Sequence, residues 1–388
     1  MSMPSAADEK AAYTKWGWTW TANKEPSAVT EPIRTYSVSG GIDVHNETEG
    51  DDLWTYLMMY RRSGPPGGTG NPVYLNRANA WLTYFKSGAY RADLGRGDDG
   101  FEWDHMYGRG LIAWYQHTCD LNACDTQALT EAENLGAIVE TLMAQQKWTL
   151  GRNMSNFGLR QSARHLLLAT LLAEATQKQR WIALRDKLIN LWMASRDWDA
   201  RGMYFVGADQ TDFVLGAGKW AAGIRIQSAF QIGVLAEAFH HVVRTTNRLD
   251  VRDKLVAMAF FIDRFGLDAQ FQYTGSWFGV KADGSAFHNY NSGGAVNFWD
   301  PVYTTSLVNT LVMGYKYSGE RALYDRAKYF FNRGTKGIFG EPVQRSAPDG
   351  VVHHFVDTVF DTSTSNFYLA FNKGELQYTY LLFENGGL

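Results

Sequence analysis

Between residues 50 and 335, apolar residues recur three and four positions apart, in runs too long for strands and separated by short polar breaks. The runs come in pairs. "HMYGRGLIAWYQHT" is followed by "DTQALTEAENLGAIVETLMAQQ", and "RQSARHLLLATLLAEATQ" by "RWIALRDKLINLWMAS". "RIQSAFQIGVLAEAFHHVVRTT" precedes "DVRDKLVAMAFFIDRFG", and "VYTTSLVNTLVMGYKYSG" precedes "RALYDRAKYFFNRG". A weaker pair, "DDLWTYLMMYRR" with "YLNRANAWLTYFKSG", comes before all of these. In the pair that starts at Val302, Leu307, Leu311 and Tyr315 share one helical face, and Leu323, Ala327 and Phe331 share the face that meets it.

First helices begin near Asp51, Asp104, Gly158, Arg225 and Tyr303, so one repeat takes roughly 50 to 80 residues. A last helix, "NFYLAFNKGELQYTYLLF", pairs with the N-terminal segment to close the ring. No Pro-, Gly- or Ser-rich linker divides the chain. The pattern predicts an all-α protein with a single domain over residues 1–388 and a flexible lead at residues 1–12. Its architecture is an (α/α)6-type toroid of helical hairpins, with an incomplete ring or a seven-hairpin ring as variants.

If consecutive hairpins stand side by side, every first helix points the same way, and the loops that enter them meet on one rim. Those loops are "NETEGDD", "DDGFEWDHMYG", "GRNMSNFGLR", "GAGKWAAGIR" and "HNYNSGGAVNFWDPVY", with "DGVVHHFVDTVFDTSTSN" before the last helix. They hold much of the His, Asn, Arg and Trp of the chain, whereas breaks inside hairpins, such as "TQKQ" and "KYSGER", are short and plain. Binding residues collect on loops carried by a rigid scaffold, so the long-looped rim is the expected site.

Composition narrows the function. The 388 residues are 45% hydrophobic and 20% charged, with a net charge of −3. A nucleic-acid partner is not expected, because phosphate neutralisation needs a concentrated basic face. No window is long and apolar enough to span a membrane. The chain holds 14 Trp, 20 Tyr and 22 Phe, mostly core in expectation, with some free to stack on sugar rings. Cys119 and Cys124 are either two thiols or a local disulfide, and the second option implies an oxidising compartment. The start "MSMPSAADEKAAY" lacks the apolar core of a signal peptide, and a periplasmic or secreted location is the expectation. There is no H-E-x-x-H, no Cys/His cluster of ligand spacing, and no phosphate-loop pattern, so neither metal nor cofactor is expected. A monomer or simple homo-oligomer is expected.

His105, Tyr107, Gly110, Leu111 and Tyr115 form the pattern His-x-Tyr-x-x-Gly-Leu-x-x-x-Tyr. Together with the repeated helix–break–helix units, it resembles the α/α-toroid carbohydrate-active enzymes over residues 50–335. Two groups share that resemblance: the helical-toroid polysaccharide lyases, of alginate- or glucuronan-lyase type, and the toroid hydrolases, including the unsaturated glucuronyl hydrolases. The resemblance implies Asn or Arg, His and Tyr as the working residues of a lyase, and paired Asp or Glu for a hydrolase.

β-Elimination from a uronate needs a neutralised carboxylate, a base for the C5 proton and an acid for the leaving oxygen. Asn156, Arg160 and Arg225 are candidates for holding the carboxylate, since arginine binds it through a two-pronged fork. His105 or His288 is the candidate base, and Tyr290 or Tyr107 the candidate acid. Arg164, His165, Gln227, Asn289 and Tyr303 are further contacts to an acidic polysaccharide, and Trp103, Trp220, Trp277 and Trp299 line the cleft. His165 also suits a buried structural role. Hydrolysis instead needs two carboxylates, which Asp98, Asp99, Glu102 and Asp104 supply on one side, with Asp51, Asp52, Asp209, Asp212 or Asp300 on the other. Asp51, Asp104 and Asp300 stand where helix caps stand, which discounts them. The sequence therefore favours a lyase of an alginate- or glucuronan-like polymer. A toroid glycoside hydrolase is the alternative, and a non-catalytic glycan-binding toroid the second alternative.

Overall fold

The computed structural model describes residues 72–86, 108–146, 148, 150, 158–290 and 300–339, together with 53, 54, 57, 60 and 70. Helix α1 runs Pro72–Lys86, α2 Arg109–Asp120 and α3 Thr126–Ala144. They are followed by α4 (Gly158–Thr176), α5 (Gln179–Ala194) and the short α6 (Ala208–Leu215). Strand β1 (Arg225–Ser228) leads into α7 (Ala229–Thr246), and α8 is Leu249–Phe265. Strands β2 (Trp277–Val280) and β3 (Ala286–Asn289) come next, then α9 (Asp300–Ser306), α10 (Val308–Ser318) and α11 (Arg321–Phe339).

Burial sorts the helices into two layers. From Ala229 to His240 every residue of α7 is buried, as is Leu159 and the run from Gln161 to Ala173 in α4, and Val308–Gly314 in α10. Helices apolar all round belong inside. Helices α3, α5 and α8 bury one stripe each: Leu135, Val139 and Leu142 in α3, Trp181, Leu184, Leu188 and Trp192 in α5, Leu255, Met258 and Ile262 in α8. The inner helices follow one another, with α4 packed on both α2 and α7, and α7 on α10. Each also packs on its outer partner: α2 on α3, α4 on α5, α7 on α8, α10 on α11. This is the expected toroid of hairpins, with one continuous apolar core between the layers.

Local chemistry fixes the hairpin ends. Asp125 caps α3 by accepting from Ala128 N at 3.2 Å, and its carboxylate also takes Lys86 Nζ at 2.8 Å and Trp114 Nε1 at 3.1 Å. Cys119 and Cys124 are joined as a disulfide across the same turn. Asn247, at φ 55°, ends α7 in the left-handed conformation that asparagine tolerates.

Two features depart from the all-helical expectation. Residues 225–228 form a strand, not the opening of a helix. They pair antiparallel with β2, Ile226 opposite Gly279, and β2 pairs with β3, Phe278 opposite His288. A turn around Asp283 and Gly284 closes the β2–β3 hairpin, with Gly284 at φ 81°. In addition, α2 begins at Arg109 with Gly108 as its N-cap, five residues later than the sequence reading placed it. A Cβ on Gly108 would come within 2.4 Å of Leu168 Cδ1, so the start of α2 is pressed onto α4.

Candidate functional site

The N-terminal ends of α4 and α7 meet at one end of the barrel. Gln231, in the first turn of α7, accepts the backbone N–H of Arg160 through Oε1 at 3.3 Å, which satisfies one of the orphan donors of α4. One turn deeper, Arg164 is 1% exposed, with its guanidinium carbon 5.8 Å from the Phe230 ring centre. Gln161 is buried on the same turn. The seam between the two inner helices thus carries two arginines and two glutamines.

A second group is built at the far end of β1. The Arg225 guanidinium lies over the Trp220 indole at 3.5 Å, and its Nη1 donates to the carbonyls of Trp220 and Ile224 at 2.9 and 3.0 Å. Trp220 is itself held, because its backbone N–H donates to Asp212 Oδ1 at 2.8 Å. With Nη1 occupied and the plane stacked, the Nε and Nη2 edge of Arg225 has no partner among the described residues. An immobilised guanidinium with one open edge is a ready two-pronged receptor for a carboxylate or sulfate.

Other sequence candidates sit differently. Gln227 is fully buried, donating from Nε2 to Tyr204 O at 2.9 Å and accepting from Ser228 N through Oε1 at 2.7 Å. Trp277 is 7% exposed and packs with Val206 and Ile226 in a small core on one face of the sheet, so it does not line an open cleft. Side chains alternate across a strand, which turns Trp277 to that core and its neighbour Phe278 to the main one. Asn289 is half-buried at the end of β3, opposite Trp277, and Tyr303 is half-buried on α9, packed against the main core. His165 is wholly buried, and its Nδ1 accepts from Trp148 Nε1 at 2.9 Å, which places the ring proton on Nε2.

His288 and Tyr290 are close neighbours, with ring centres 6.4 Å apart. His288 is in strand β3, not in the entry loop where the sequence pattern puts it. It is paired within the sheet, its Nδ1 accepts Gly275 N–H at 3.3 Å, and its ring stacks on Phe278. Burial pushes its pKa down to about 4, with the charge of Asp268 pulling weakly the other way. Tyr290 is buried and donates its hydroxyl to Tyr273 O at 3.3 Å. His105, Tyr107, Asn156, Trp103 and Trp299, and the acids Asp98, Asp99, Glu102 and Asp104, lie outside the described residues.

The sequence reading missed the polar contacts in the barrel interior. Arg109 and Glu237 form an ion pair at 2.6 Å with side chains 3% and 4% exposed. Below them, His240 Nδ1 lies 2.8 Å from Tyr317 Oη, and burial together with Lys316 and Arg244 holds its pKa down to about 3. Among the described residues, no group of three or more His, Cys, Asp or Glu is arranged to hold a metal ion, and no helix is long and apolar enough to cross a membrane.

No family model matches the chain, and no curated protein matches it. Solved structures do. The chain is similar to an unsaturated glucuronyl hydrolase from Streptococcus agalactiae, with a TM-score of 0.55 and 12% identity, covering 98% of this chain and 93% of that one. It is similar to an α-1,6-mannanase from Salegentibacter, with a TM-score of 0.53 and 12% identity over 96% of this chain and 98% of the other. A cellobiose 2-epimerase from Bacillus thermoamylovorans aligns with a TM-score of 0.52 and 12% identity, over 88% and 94%. At that identity the likeness establishes the α/α-toroid fold.

Proposed function

We propose that the chain is a carbohydrate-active enzyme that hydrolyses a glycosidic bond in an acidic oligosaccharide. The observation that carries this is Arg225, stacked on Trp220 with its Nε and Nη2 edge open among the described residues. An indole offers an apolar platform to a sugar face, and a fixed guanidinium edge takes a carboxylate or sulfate in two hydrogen bonds. Arg160 and Arg164 add positive charge at the α4–α7 seam. The unsaturated glucuronyl hydrolase has also been seen, as a mutant, complexed with dGlcA-GalNAc6S, a ligand that carries acidic groups.

Hydrolysis is favoured over elimination by the state of the described His and Tyr. His288 accepts from the backbone at Nδ1, Tyr290 donates to a backbone carbonyl, and both sit in packed surroundings, a poor arrangement for a base and an acid that must reach substrate. The acids of "DDGFEWDHMYGRG" suit the two-carboxylate chemistry of glycosidases, with Asp98, Asp99, Glu102 and Asp104 as candidates for one partner. Elimination stays as the second reading, with Asn156, Arg160 and Arg225 on the carboxylate, His105 as base and Tyr107 as acid. A periplasmic or secreted setting fits the Cys119–Cys124 disulfide.

The test uses polyuronates, lyase-cut uronate oligosaccharides and neutral oligosaccharides, followed by reducing-end release and by absorbance near 235 nm. Reducing ends without new absorbance, or loss of existing absorbance from pre-cut oligosaccharides, support hydrolysis. Absorbance that grows as intact polymer is cut would replace it with elimination. Activity on neutral glycans only would remove the acidic-substrate part.

A further inference from the structure

A cavity of about 700 Å³ opens between α1 and the turn that joins α2 to α3. Small-molecule sites run from roughly 300 to 1,000 Å³, so it is large enough for a ligand. None of its lining residues belongs to the α4–α7 seam or to the Arg225–Trp220 group. Its apolar part is Leu82 and Trp114, both buried. Lys86 and Asp125 are half-buried, and Asn79, Thr83 and Gln127 are exposed. The two charges cancel, because Lys86 Nζ donates to both oxygens of Asp125, at 3.0 and 2.8 Å. Burial acts to raise the pKa of Asp125, but its bonds from Lys86 and from Ala128 N hold it below the ordinary value. The pair therefore stays ionised at neutral pH.

The polar groups left over are mixed in kind. The Asp125 carboxylate is spent, since it also takes Trp114 Nε1 and Ala128 N. Asn79 gives an amide proton to Leu75 O, and Thr83 donates to Asn79 O and keeps its lone pairs. Among the described residues, Asn79 Oδ1 and the Gln127 amide have no hydrogen-bond partner. An anion finds no uncompensated cation here, and a cation finds no uncompensated acid. A sugar hydroxyl donates and accepts at once, which amide and hydroxyl side chains match, and the C–H face of a sugar ring suits a small apolar surface. We propose that this cavity is a second, non-catalytic carbohydrate site that takes a neutral glycosyl unit of an oligosaccharide. It stands apart from the groups assigned to hydrolysis and does not depend on that assignment.

The test is titration calorimetry of the full chain with cellotetraose, a mannotetraose and a uronate tetrasaccharide. It is repeated on the Asn79→Ala/Gln127→Ala double variant and on Ala123→Tyr, which adds bulk at an exposed lining position. All three positions are exposed, so circular dichroism and the thermal midpoint are expected to match the parent. The parent is expected to bind at least one neutral tetrasaccharide. The double variant, short of two hydrogen-bonding amides, should bind it about tenfold more weakly, and Ala123→Tyr should weaken it too. Affinity for the uronate should be alike in parent and double variant. Absence of neutral binding in the parent, or an equal Kd in the parent and both variants, overturns the site. An equal loss for the uronate overturns its preference for neutral units, and a lost hydrolysis rate in the double variant overturns its non-catalytic standing. If the parent hydrolyses no oligosaccharide while the variants still lose neutral binding, the proposed function fails and this site stands.

Discussion

Gln231 caps a helix that is not its own: from the first turn of α7, its Oε1 accepts the backbone N–H of Arg160 in the first turn of α4. Helix starts leave backbone N–H groups unsatisfied, and this one is half-buried between two inner helices, away from easy hydration. Gln231→Leu keeps the volume and removes the acceptor. It is expected to cost about 1–2 kcal/mol, the penalty for a buried donor left unmade. Urea unfolding reads this as a lower midpoint at unchanged slope. An unaltered midpoint would show that the cap is idle.

The disulfide at the turn between α2 and α3 gives a second prediction. Cys119 and Cys124 are five positions apart, so the closed loop is short and the cross-link restricts the unfolded chain only modestly. Chain-entropy reasoning gives about 2 kcal/mol for so short a loop. The Cys119→Ser/Cys124→Ser double variant, or the parent in reductant, is expected to lose that much stability while keeping its helical content. Thiol labelling of the unfolded, unreduced chain checks the premise, because two free thiols would remove it.

Much of the fold was legible because most helices are long and their apolar period is unambiguous. Gly158 opens α4 as read, and the paired faces of α10 and α11 follow the spacing of Leu311 and Leu323. The sheet was not read, although "WFGVKADGSAFHN" carries its signal: two four-residue strands around an Asp-Gly turn. Strands that short have too little alternation to outweigh a helical neighbourhood, and β1 runs directly into α7 with no break in apolar pattern. Arg225 and Gln227 were singled out on residue type, but their fates are decided in three dimensions. Arg225 reaches the indole of Trp220, whereas Gln227 spends its amide on the buried backbone. Glu237 gave no signal, since its partner is 128 residues away and its neighbours read as ordinary helix.

His288 gives the chain a defined acid sensitivity. The unfolded imidazole binds its proton near 6.5, but the buried ring does so only near about 4. Between those values the unfolded state holds more protons, so stability is full above pH 6.5 and falls as the pH drops toward 4. The lost contribution is at most about 3 kcal/mol. His240, depressed to about 3, adds a decline of the same sign that continues to lower pH. His288→Gln is expected to flatten the difference between urea midpoints at pH 7 and pH 4.5 without abolishing it. Equal differences in variant and parent would show that the ring is not buried as described.

Arg225 separates recognition of charge from recognition of sugar. Its stacking and its Nη1 bonds involve only the protein, so the open edge contributes to binding only if the ligand brings an anion. Arg225→Lys keeps the charge and loses the two-pronged geometry, while Arg225→Met keeps much of the apolar stem and loses both. For a uronate substrate, Arg225→Met is expected to raise KM roughly tenfold to 100-fold, the equivalent of one or two charge-assisted hydrogen bonds. Arg225→Lys should fall between the variant and the parent. For the methyl-esterified form of the same oligosaccharide, parent and variants should be alike, because the ester gives the guanidinium no anion to bind. A penalty of equal size on both substrates would assign Arg225 to the support of Trp220 and of the loop around it, and would move recognition of the acidic group to Arg160 and Arg164 at the α4–α7 seam.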